Sequence, residues 1–465
     1  MERFKNQMKI DRDAIFQLLE EGKKVTREQI LDILERAERK EKISHLDIAR
    51  LLHIEDEDLT KKMFEVAGKI KENVYGNRVV LFAPLYVSDF CVNTCVYCGY
   101  KRDNKFNRRK LTMDEIRKEV MILEEMGHKR LALEAGEDPK NNPIEYILES
   151  IKTIYSIKHK NGDIRRVNVN IAATTVENYA KLKDAGIGTY ILFQETYHKE
   201  SYLKLHPTGP KHDYNYHTEA MDRAMQAGID DVGIGVLFGL ERYKYEFAGL
   251  LMHAEHLEAV HGVGPHTISV PRIKKAADID PSVFDNGISD EIFEKLCALI
   301  RIAVPYTGMI ISTRESQSVR EKCLELGVSQ ISGASRTTVG GYAEEERPTD
   351  TEQFDVSDQR TLDEVVRWLM ELGFIPSFCT ACYIEGRTGD RFMSLAKTGQ
   401  IQNCCHPNAL MTLKEFLMDY ASEETIKIGE KMIQDELSNI PNLKARGICT
   451  DNISRIEEGK RNFRF

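Results

Sequence analysis

Short apolar runs alternate with amphipathic helical stretches through the middle of the chain, from about residue 76 to residue 343. The runs are rich in β-branched and other apolar residues, as buried parallel strands are, and helical periodicity follows each of them. Eight such units over about 260 residues predict an α/β fold, a closed (β/α)8 barrel, with an open doubly wound sheet as the alternative. The runs predicted as strands are 78–83, 130–134, 166–172, 189–194, 231–238, 266–270, 308–313 and 328–332.

The two ends of the chain show helical spacing of apolar residues instead. Residues 13–21, 26–39 and 46–52 predict helices before the barrel, and residues 361–465 predict helices after it. Residues 344–360 are acidic and contain helix breakers, which is typical of a linker. We therefore predict an N-terminal helical segment at 1–75, a barrel at 76–343 and a C-terminal helical domain at 344–465.

The composition and the distribution of charge exclude some classes of function. Apolar residues make up 42% of the 465-residue chain, which supports a large core, and the net charge of −9 includes no basic stripe for nucleic acid. No apolar stretch is long enough to span a membrane, and no apolar run follows residues 1–5 as in a secretory signal. These features favour a cytoplasmic protein that binds neither nucleic acid nor membranes.

Six of the ten cysteines fall into two tight groups, which favours metal ligation over disulfides. Cys297 and Cys323 lie in apolar helical patterns and are interpreted as core residues, while Cys404 and Cys449 have no assigned role.

The first group is C-x3-C-x2-C, formed by Cys91, Cys95 and Cys98, with Tyr97 just before the last cysteine. Three thiolates on one loop can hold three corners of a 4Fe–4S cube and leave the fourth iron open. The alternatives are a zinc site and three unrelated cysteines. Zinc would need a fourth Cys or His, and none lies within about ten residues. The group follows the first predicted strand, which places it at the carboxyl-terminal mouth of the barrel, where barrel enzymes carry their chemistry.

The second group is a C-x2-C pair, Cys379 and Cys382, followed by Cys405. Three ligands again predict a 4Fe–4S cube with an open iron. The alternatives are a zinc site completed by His406 or Cys404, or a thiol pair with redox chemistry.

The first group resembles the signature of the radical S-adenosylmethionine (SAM) superfamily, and both groups together resemble the HydG-type tyrosine lyases that mature FeFe-hydrogenase. Supporting stretches are 82–88, 194–198, 266–272 and 312–316. The resemblance implies a TIM-type radical SAM barrel with a helical iron–sulfur extension. It also implies an enzyme in which SAM binds the open iron and yields a 5′-deoxyadenosyl radical. That radical starts cleavage of the Cα–Cβ bond of L-tyrosine to p-cresol and dehydroglycine, and dehydroglycine is converted to carbon monoxide and cyanide at the auxiliary cluster.

Two other functions stay open. The related 2-iminoacetate synthase of thiamine biosynthesis shares the barrel motifs but lacks the C-terminal cysteines, so Cys379, Cys382 and Cys405 separate the two families. A protein of another class, a non-catalytic iron–sulfur scaffold, would carry clusters without cleaving tyrosine.

The resemblance also indicates residues for the cofactor. Ala135, Gly136 and Glu137 follow the second strand and resemble the Gly-Gly-Glu motif that meets the SAM amino group, with alanine in place of the first glycine. Asn170, Gln194 and Glu195 end strands three and four, and Glu195 is a candidate partner of the ribose or the amino group. Further SAM candidates are Tyr97, Gly235 and Arg272; for Gly235 the alternative is a strand glycine needed for close packing, and Arg272 could instead contact the substrate.

Arg314 and Ser312 are the candidate substrate residues, because they stand at the end of strand seven. A guanidinium can bind a carboxylate through two parallel hydrogen bonds, and the related family places this role on the matching Ser-Thr-Arg. A surface arginine in a βα loop is the alternative.

The resemblance further implies a histidine that holds an additional iron beside the auxiliary cluster. His266 precedes Arg272 by six residues, so both side chains lie on one face of a regular strand, with His266 about 20 Å lower. His256, late in the preceding helix, is the second candidate. Two clusters at opposite ends also require a tunnel of small or polar residues through the barrel.

The implied cofactors are two 4Fe–4S clusters, one of them with an additional iron, and SAM. The implied partners are L-tyrosine, free L-cysteine at the auxiliary iron, a reductant such as flavodoxin or ferredoxin, and other hydrogenase maturation proteins. An open cluster iron reacts with oxygen, so an anaerobic cytoplasm is expected.

Overall fold

The computed structural model describes residue 8 and residues 10–275, 279–344 and 351–465. The N-terminal residues used to argue against a secretory signal, and residues 345–350 of the predicted linker, lie outside the described residues.

Eight parallel strands close into a barrel, which confirms the predicted fold class. The sheet runs in the order β2-β3-β4-β5-β6-β7-β8-β1, and β1 also pairs with β2, so the barrel has no open edge. Each strand starts within one of the eight predicted runs; β1 continues five residues beyond its run and β2 one residue beyond its run. The strands are β1 (Arg78–Ser88), β2 (Arg130–Ala135), β3 (Arg166–Asn170), β4 (Tyr190–Ile191), β5 (Val232–Gly235), β6 (Thr267–Ser269), β7 (Gly308–Ile311) and β8 (Gln330–Ser332).

A ninth strand, β9 (Ile375–Ser377), pairs in parallel with the first residues of β1. Val80 of β1 pairs with Gln330 of β8 and with Ser377 of β9, so β9 occupies the edge that β2 uses further along β1. The prediction of helices alone over 361–465 is therefore wrong at this point, because a three-residue strand is too short to show a period. Its consequence is that Cys379 lies beneath the barrel.

Nineteen α-helices are present in the described part of the chain. The four before the barrel are α1 (Arg12–Gly22), α2 (Arg27–Glu38), α3 (His45–Leu51) and α4 (Glu57–Tyr75). Those around the barrel are α5 (Met113–Met126), α6 (Ile144–Ser156), α7 (Val176–Asp184), α8 (Lys199–Leu205), α9 (Tyr214–Thr218), α10 (Ala220–Gln226), α11 (Tyr243–His261), α12 (Asp290–Ala303) and α13 (Gln317–Leu326). The last six are α14 (Leu362–Glu371), α15 (Ala381–Ile384), α16 (Gly389–Lys397), α17 (Gln402–Asp419), α18 (Glu423–Ser438) and α19 (Leu443–Glu457).

Helix starts follow local sequence signals. Thr26, Ser44, Thr112 and Thr361 each form a capping box with the residue three positions on.

Helix α4 packs against α12 and α13, and its buried Lys71 donates to the Leu324 carbonyl. Among the described helices, none combines the length and the apolar character that crossing a membrane requires. The division into three domains stays a prediction.

A buried ion pair joins the barrel to the start of α14. Arg320 of α13 is fully buried; it donates to the Ser332 carbonyl at 2.6 Å and forms an ion pair with Asp358. Arg360 also bonds to Asp358, and these two cations keep the pKa of Asp358 below its usual value although burial opposes this.

Asp358→Ala should therefore lower the free energy of unfolding by about 3–5 kcal/mol, because it leaves the Arg320 guanidinium buried without its anion. The control is Glu424→Ala, whose carboxylate is 79% exposed beside Arg367 and should cost about 0–1 kcal/mol. Urea unfolding followed by circular dichroism would measure both variants. Equal effects of the two substitutions would contradict the role of this pair.

Candidate active site and auxiliary metal centre

The cluster loop, residues 90–99, leaves the upper end of β1 and places Cys91, Cys95 and Cys98 on the wall of one cavity, the upper cavity. The backbone of the next βα loop holds it: Val92 N–H donates to the Glu137 carbonyl at 2.8 Å, and Gly136 N–H donates to the Ser88 carbonyl at 3.0 Å. The three thiols therefore lie at the carboxyl-terminal mouth of the barrel, at the position predicted from the sequence.

These thiols fit a metal centre by their chemistry. Burial and the neighbouring Cys91 raise the pKa of Cys98 to about 11, and burial raises that of Cys95 further. Three thiolates on the wall of one cavity are stable only when a metal supplies positive charge. Cys91, Cys95 and Cys98 would therefore hold a cluster through three of its irons.

A second segment, the clamp loop (residues 205–211), closes over the cluster loop. Val96 N–H donates to the Leu205 carbonyl at 3.0 Å, Thr94 N–H to the Thr208 carbonyl at 3.3 Å, and Lys211 N–H to Asn93 Oδ1 at 3.0 Å. Gly209 makes the approach possible: its φ is +102°, and a Cβ there would lie 2.2 Å from Asn93 Oδ1.

Most of the predicted cofactor residues line the upper cavity: Tyr97, Ala135, Gly136, Glu137, Asn170 and Glu195. Gly136 lies against the cluster loop, where a Cβ would come within 2.5 Å of the Phe90 carbonyl oxygen. Glu137 accepts from Asn93 Nδ2 at 2.6 Å. Glu195 has a positive φ of 68°, and its Oε1 accepts a hydrogen bond from the Lys211 ammonium at 2.7 Å. A non-glycine residue held in this conformation is often found at a functional site.

Three predicted cofactor residues do not line this cavity. Gln194 donates to Thr218 Oγ1 at 2.9 Å in the core. Gly235 packs under Phe193, since a Cβ would lie 2.8 Å from its ring, which favours the close-packing interpretation.

Arg272 also points away from the upper cavity. It binds Glu315 at 2.6 Å and lies over the Phe293 ring of α12. The physical reason is that two carboxylates lie on that side, Glu315 and Asp290, and both are ion-paired with the Arg272 guanidinium. The expectation that Arg272 faces the mouth is corrected accordingly.

The candidate substrate residues line a second space deeper in the barrel, the inner cavity, which Ser312, Ser269, Ser332 and Phe82 enclose. Arg314 lines both the upper and the inner cavity. Its Nη1 donates to the Arg272 carbonyl at 3.3 Å, its guanidinium lies 3.9 Å from the centre of the Phe354 ring, and its Nε has no partner.

Sequence reasoning assigned no role to Glu134, which also lines both cavities. Its carboxyl group is hydrogen-bonded to the Asn170 side chain. The available signal was the period of two on β2, since Ala132 and Glu134 both face inward.

At the lower end of the barrel, Cys379, Cys382 and Cys405 line one further space, the lower cavity. Strand β9 brings the first, and α15 and the start of α17 bring the other two. Burial and the neighbouring Cys382 raise the pKa of Cys379. These donors fit a second cluster for the same reason as the first. Among the described residues, no three His, Cys, Asp or Glu side chains form a group that could hold a single metal ion.

The structure distinguishes the two histidines proposed for an additional iron. His266 lines the lower cavity with the three cysteines, and its Nε2 lies 3.2 Å from Tyr383 Oη. His256 does not line it; its Nε2 lies 2.9 Å from Asp222 Oδ1 on α10. His266 stands just before β6, and its backbone bonds to Val232 and Gly308 of the two neighbouring strands, which fixes its side chain at the lower cavity.

Sequence reasoning also missed the arginines around the lower cavity. Arg78, Arg130 and Arg166 are the first residues of β1, β2 and β3, and all three are buried. Arg78 and Arg130 line the cavity, and Arg166 lies over the Tyr383 ring. Three consecutive strands that begin with arginine are a pattern visible in the sequence.

The inner and lower cavities are bounded by neighbouring inward-facing residues. Val80, Arg130, Gly308 and Gln330 line the lower cavity, and the residues two positions later on the same strands, Phe82, Ala132, Ile310 and Ser332, line the inner one. The predicted tunnel between them stays a prediction.

Gly209→Ala should prevent loading of the upper cluster, because the added Cβ would clash with Asn93 and push the clamp loop away. We expect the iron content after anaerobic reconstitution to fall by about four per chain. Gly186→Ala is the matched control, since Gly186 has a φ of +75° but nothing within 4 Å of its Cβ position. Full iron loading of the Gly209 variant would contradict the clamp.

Comparisons with known proteins give the family. The radical SAM superfamily model matches residues 85–251, and the model of the biotin and thiamin synthesis associated domain matches residues 269–375. The 2-iminoacetate synthase of Salmonella typhimurium is 29% identical over 74% of this chain and 89% of its own. The radical SAM match identifies an enzyme of that superfamily and implies one 4Fe–4S cluster and SAM.

Two solved structures match nearly the whole chain. A crystal structure of HydG, a maturase of the FeFe-hydrogenase, is 59% identical, covers 98% of this chain and 99% of its own, and superposes with a TM-score of 0.96. The maturase HydG from Carboxydothermus hydrogenoformans is 40% identical over 95% of this chain and 97% of its own, with a TM-score of 0.83. The chain therefore belongs to the HydG family of FeFe-hydrogenase maturases.

Proposed function

We propose that this maturase cleaves the Cα–Cβ bond of L-tyrosine to p-cresol and dehydroglycine, and then converts dehydroglycine to carbon monoxide and cyanide for hydrogenase assembly. The observation that carries the proposal is the placement of two cysteine triads at opposite ends of one barrel, with Arg314 on the inner cavity between them.

The upper cavity would perform the radical step. Cys91, Cys95 and Cys98 would hold the cluster, which with bound SAM supplies a 5′-deoxyadenosyl radical. Glu137 and Glu195 offer carboxylates to the amino and ribose groups of SAM, and the Lys211 ammonium beside Glu195 places a positive charge near Cys95. The clamp loop would exclude water from this space.

The inner cavity would bind the amino acid. Arg314 and Ser312 would hold the substrate carboxylate, because the guanidinium is fixed by the Arg272 carbonyl and by Phe354 while its Nε remains unpaired. The alternative site for such a carboxylate, Arg272, is already paired with Glu315.

The lower cavity would receive dehydroglycine. Cys379, Cys382 and Cys405 would hold the second cluster, and His266 would hold the additional iron, with free L-cysteine as its further ligand. Arg78 and Arg130 would balance the negative charge of the thiolates. The 2-iminoacetate synthase alternative has no need of this cavity, so the cavity distinguishes the two activities.

We further propose that flavodoxin or ferredoxin supplies the electron, that other hydrogenase maturation proteins accept the product, and that the enzyme works in an anaerobic cytoplasm.

Cys405→Ala should keep tyrosine cleavage and abolish carbon monoxide formation, because only the lower cavity loses a ligand. We expect about eight or nine irons per chain in the parent protein and about four fewer in the variant, with p-cresol formation within about twofold of the parent. Cys449→Ala is the matched control, since this buried thiol lies 3.8 Å from the Pro407 carbonyl and does not line the cavity.

The readouts are the iron count, electron paramagnetic resonance, p-cresol by chromatography and carbon monoxide by trapping on a haem protein. Undiminished carbon monoxide from the Cys405 variant would refute the role of the lower cavity. Loss of p-cresol in Cys98→Ala is expected in the same assay, and p-cresol from that variant would refute the role of the upper one.

A further inference from the structure

Two groups of opposite charge lie in the barrel interior without an ion-pair partner. Glu134 and Arg314 both line the upper and inner cavities, and neither forms a salt bridge with any residue that the structure describes. Glu134 has the Asn170 amide as its partner, and Arg314 has one backbone carbonyl and an aromatic ring. A charged group without a partner is unfavourable in such a place and is typical of a site where a ligand supplies the opposite charge.

The other carboxylates of the upper cavity are already satisfied. Glu195 is paired with the Lys211 ammonium at 2.7 Å, and Glu137 accepts from Asn93 at 2.6 Å. Glu134 is distinguished from both because it also reaches the inner cavity, where Arg314 and Ser312 lie.

We propose that Glu134, oriented by Asn170, binds the α-amino group of the substrate while Arg314 binds its carboxylate. The inference rests on the proposed function and deepens it: the pair would recognise the zwitterion of an α-amino acid. A ligand that carries only one of the two groups would leave one side chain uncompensated.

Strand geometry holds Glu134 for this role. Glu134 pairs with Asn170 across the β2–β3 ladder and with Tyr86 across the β1–β2 ladder, so its backbone is fixed on both sides. Burial raises the pKa of Glu134, and Asn170 and Arg314 only partly oppose this. Glu134 is half-buried, and it lines both the upper and the inner cavity. A substrate ammonium would supply the missing positive charge.

The test compares three ligands of the reconstituted enzyme with SAM bound: L-tyrosine, 3-(4-hydroxyphenyl)propionate, which lacks the amino group, and tyramine, which lacks the carboxylate. Equilibrium dialysis gives the dissociation constants. In Glu134→Gln we expect the affinity for L-tyrosine to fall at least about tenfold, because a charged hydrogen bond is lost. The affinity for 3-(4-hydroxyphenyl)propionate should stay unchanged.

Arg314→Gln is the matched complement and should give the reverse pattern, with weaker binding of L-tyrosine and unchanged binding of tyramine. Iron content and SAM binding, measured on each variant, show that the barrel is intact. A Glu134 variant that binds L-tyrosine like the parent overturns the inference. So does an equal loss of affinity for L-tyrosine and 3-(4-hydroxyphenyl)propionate, since Glu134 would then only shape the cavity.

If the proposed function itself is wrong, the same measurements give a different result. In that case the parent enzyme would form no p-cresol and would bind L-tyrosine no better than tyramine or 3-(4-hydroxyphenyl)propionate. Such a result would overturn both the tyrosine lyase and the amino-group site, whereas p-cresol formation by the parent with an indifferent Glu134 variant would overturn only the latter.

Discussion

The backbone pairing of β1 is the constraint on which both candidate sites depend. This strand is eleven residues long; its upper part pairs with β2, and its lower part pairs with β8 on one edge and β9 on the other. The cluster loop leaves one end of β1, and Cys379 is held beside the other end through β9. Because parallel pairing fixes the register of these strands, the distance between the two cysteine triads is set by the length of one strand.

The distribution of charge follows the same axis. Arginines begin three neighbouring strands at the lower end, and carboxylates follow the strands at the upper end, with Glu134, Glu137 and Glu195 on the cavity walls. Removing such groups from water is costly unless something of opposite charge is bound among them. Each end of the barrel interior therefore carries charged groups whose burial a bound ligand of opposite charge would offset.

The barrel and both cysteine triads could be predicted from the sequence, because eight buried strands and clustered thiols are strong local signals. The placement of single side chains could not. Arg272 was expected at the mouth because it ends the sixth predicted strand, but β6 ends at Ser269 and the Arg272 guanidinium is paired with Glu315 and Asp290 instead. The lower cavity needs β9, which is too short for periodicity, and Glu134 becomes distinctive only when its neighbours are seen to be paired.

The pairing of β9 with β1 also orders the assembly of the molecule. The barrel can close once β8 is present, but the floor of the lower cavity needs residues that follow α14, separated from β1 by almost the whole barrel sequence. Contacts of such long sequence separation form late, since the intervening chain must be ordered first. During synthesis the upper cysteines thus enter a closed barrel while the lower end is still open to solvent, and the segment that follows α13 completes a structure that the barrel strands have already built.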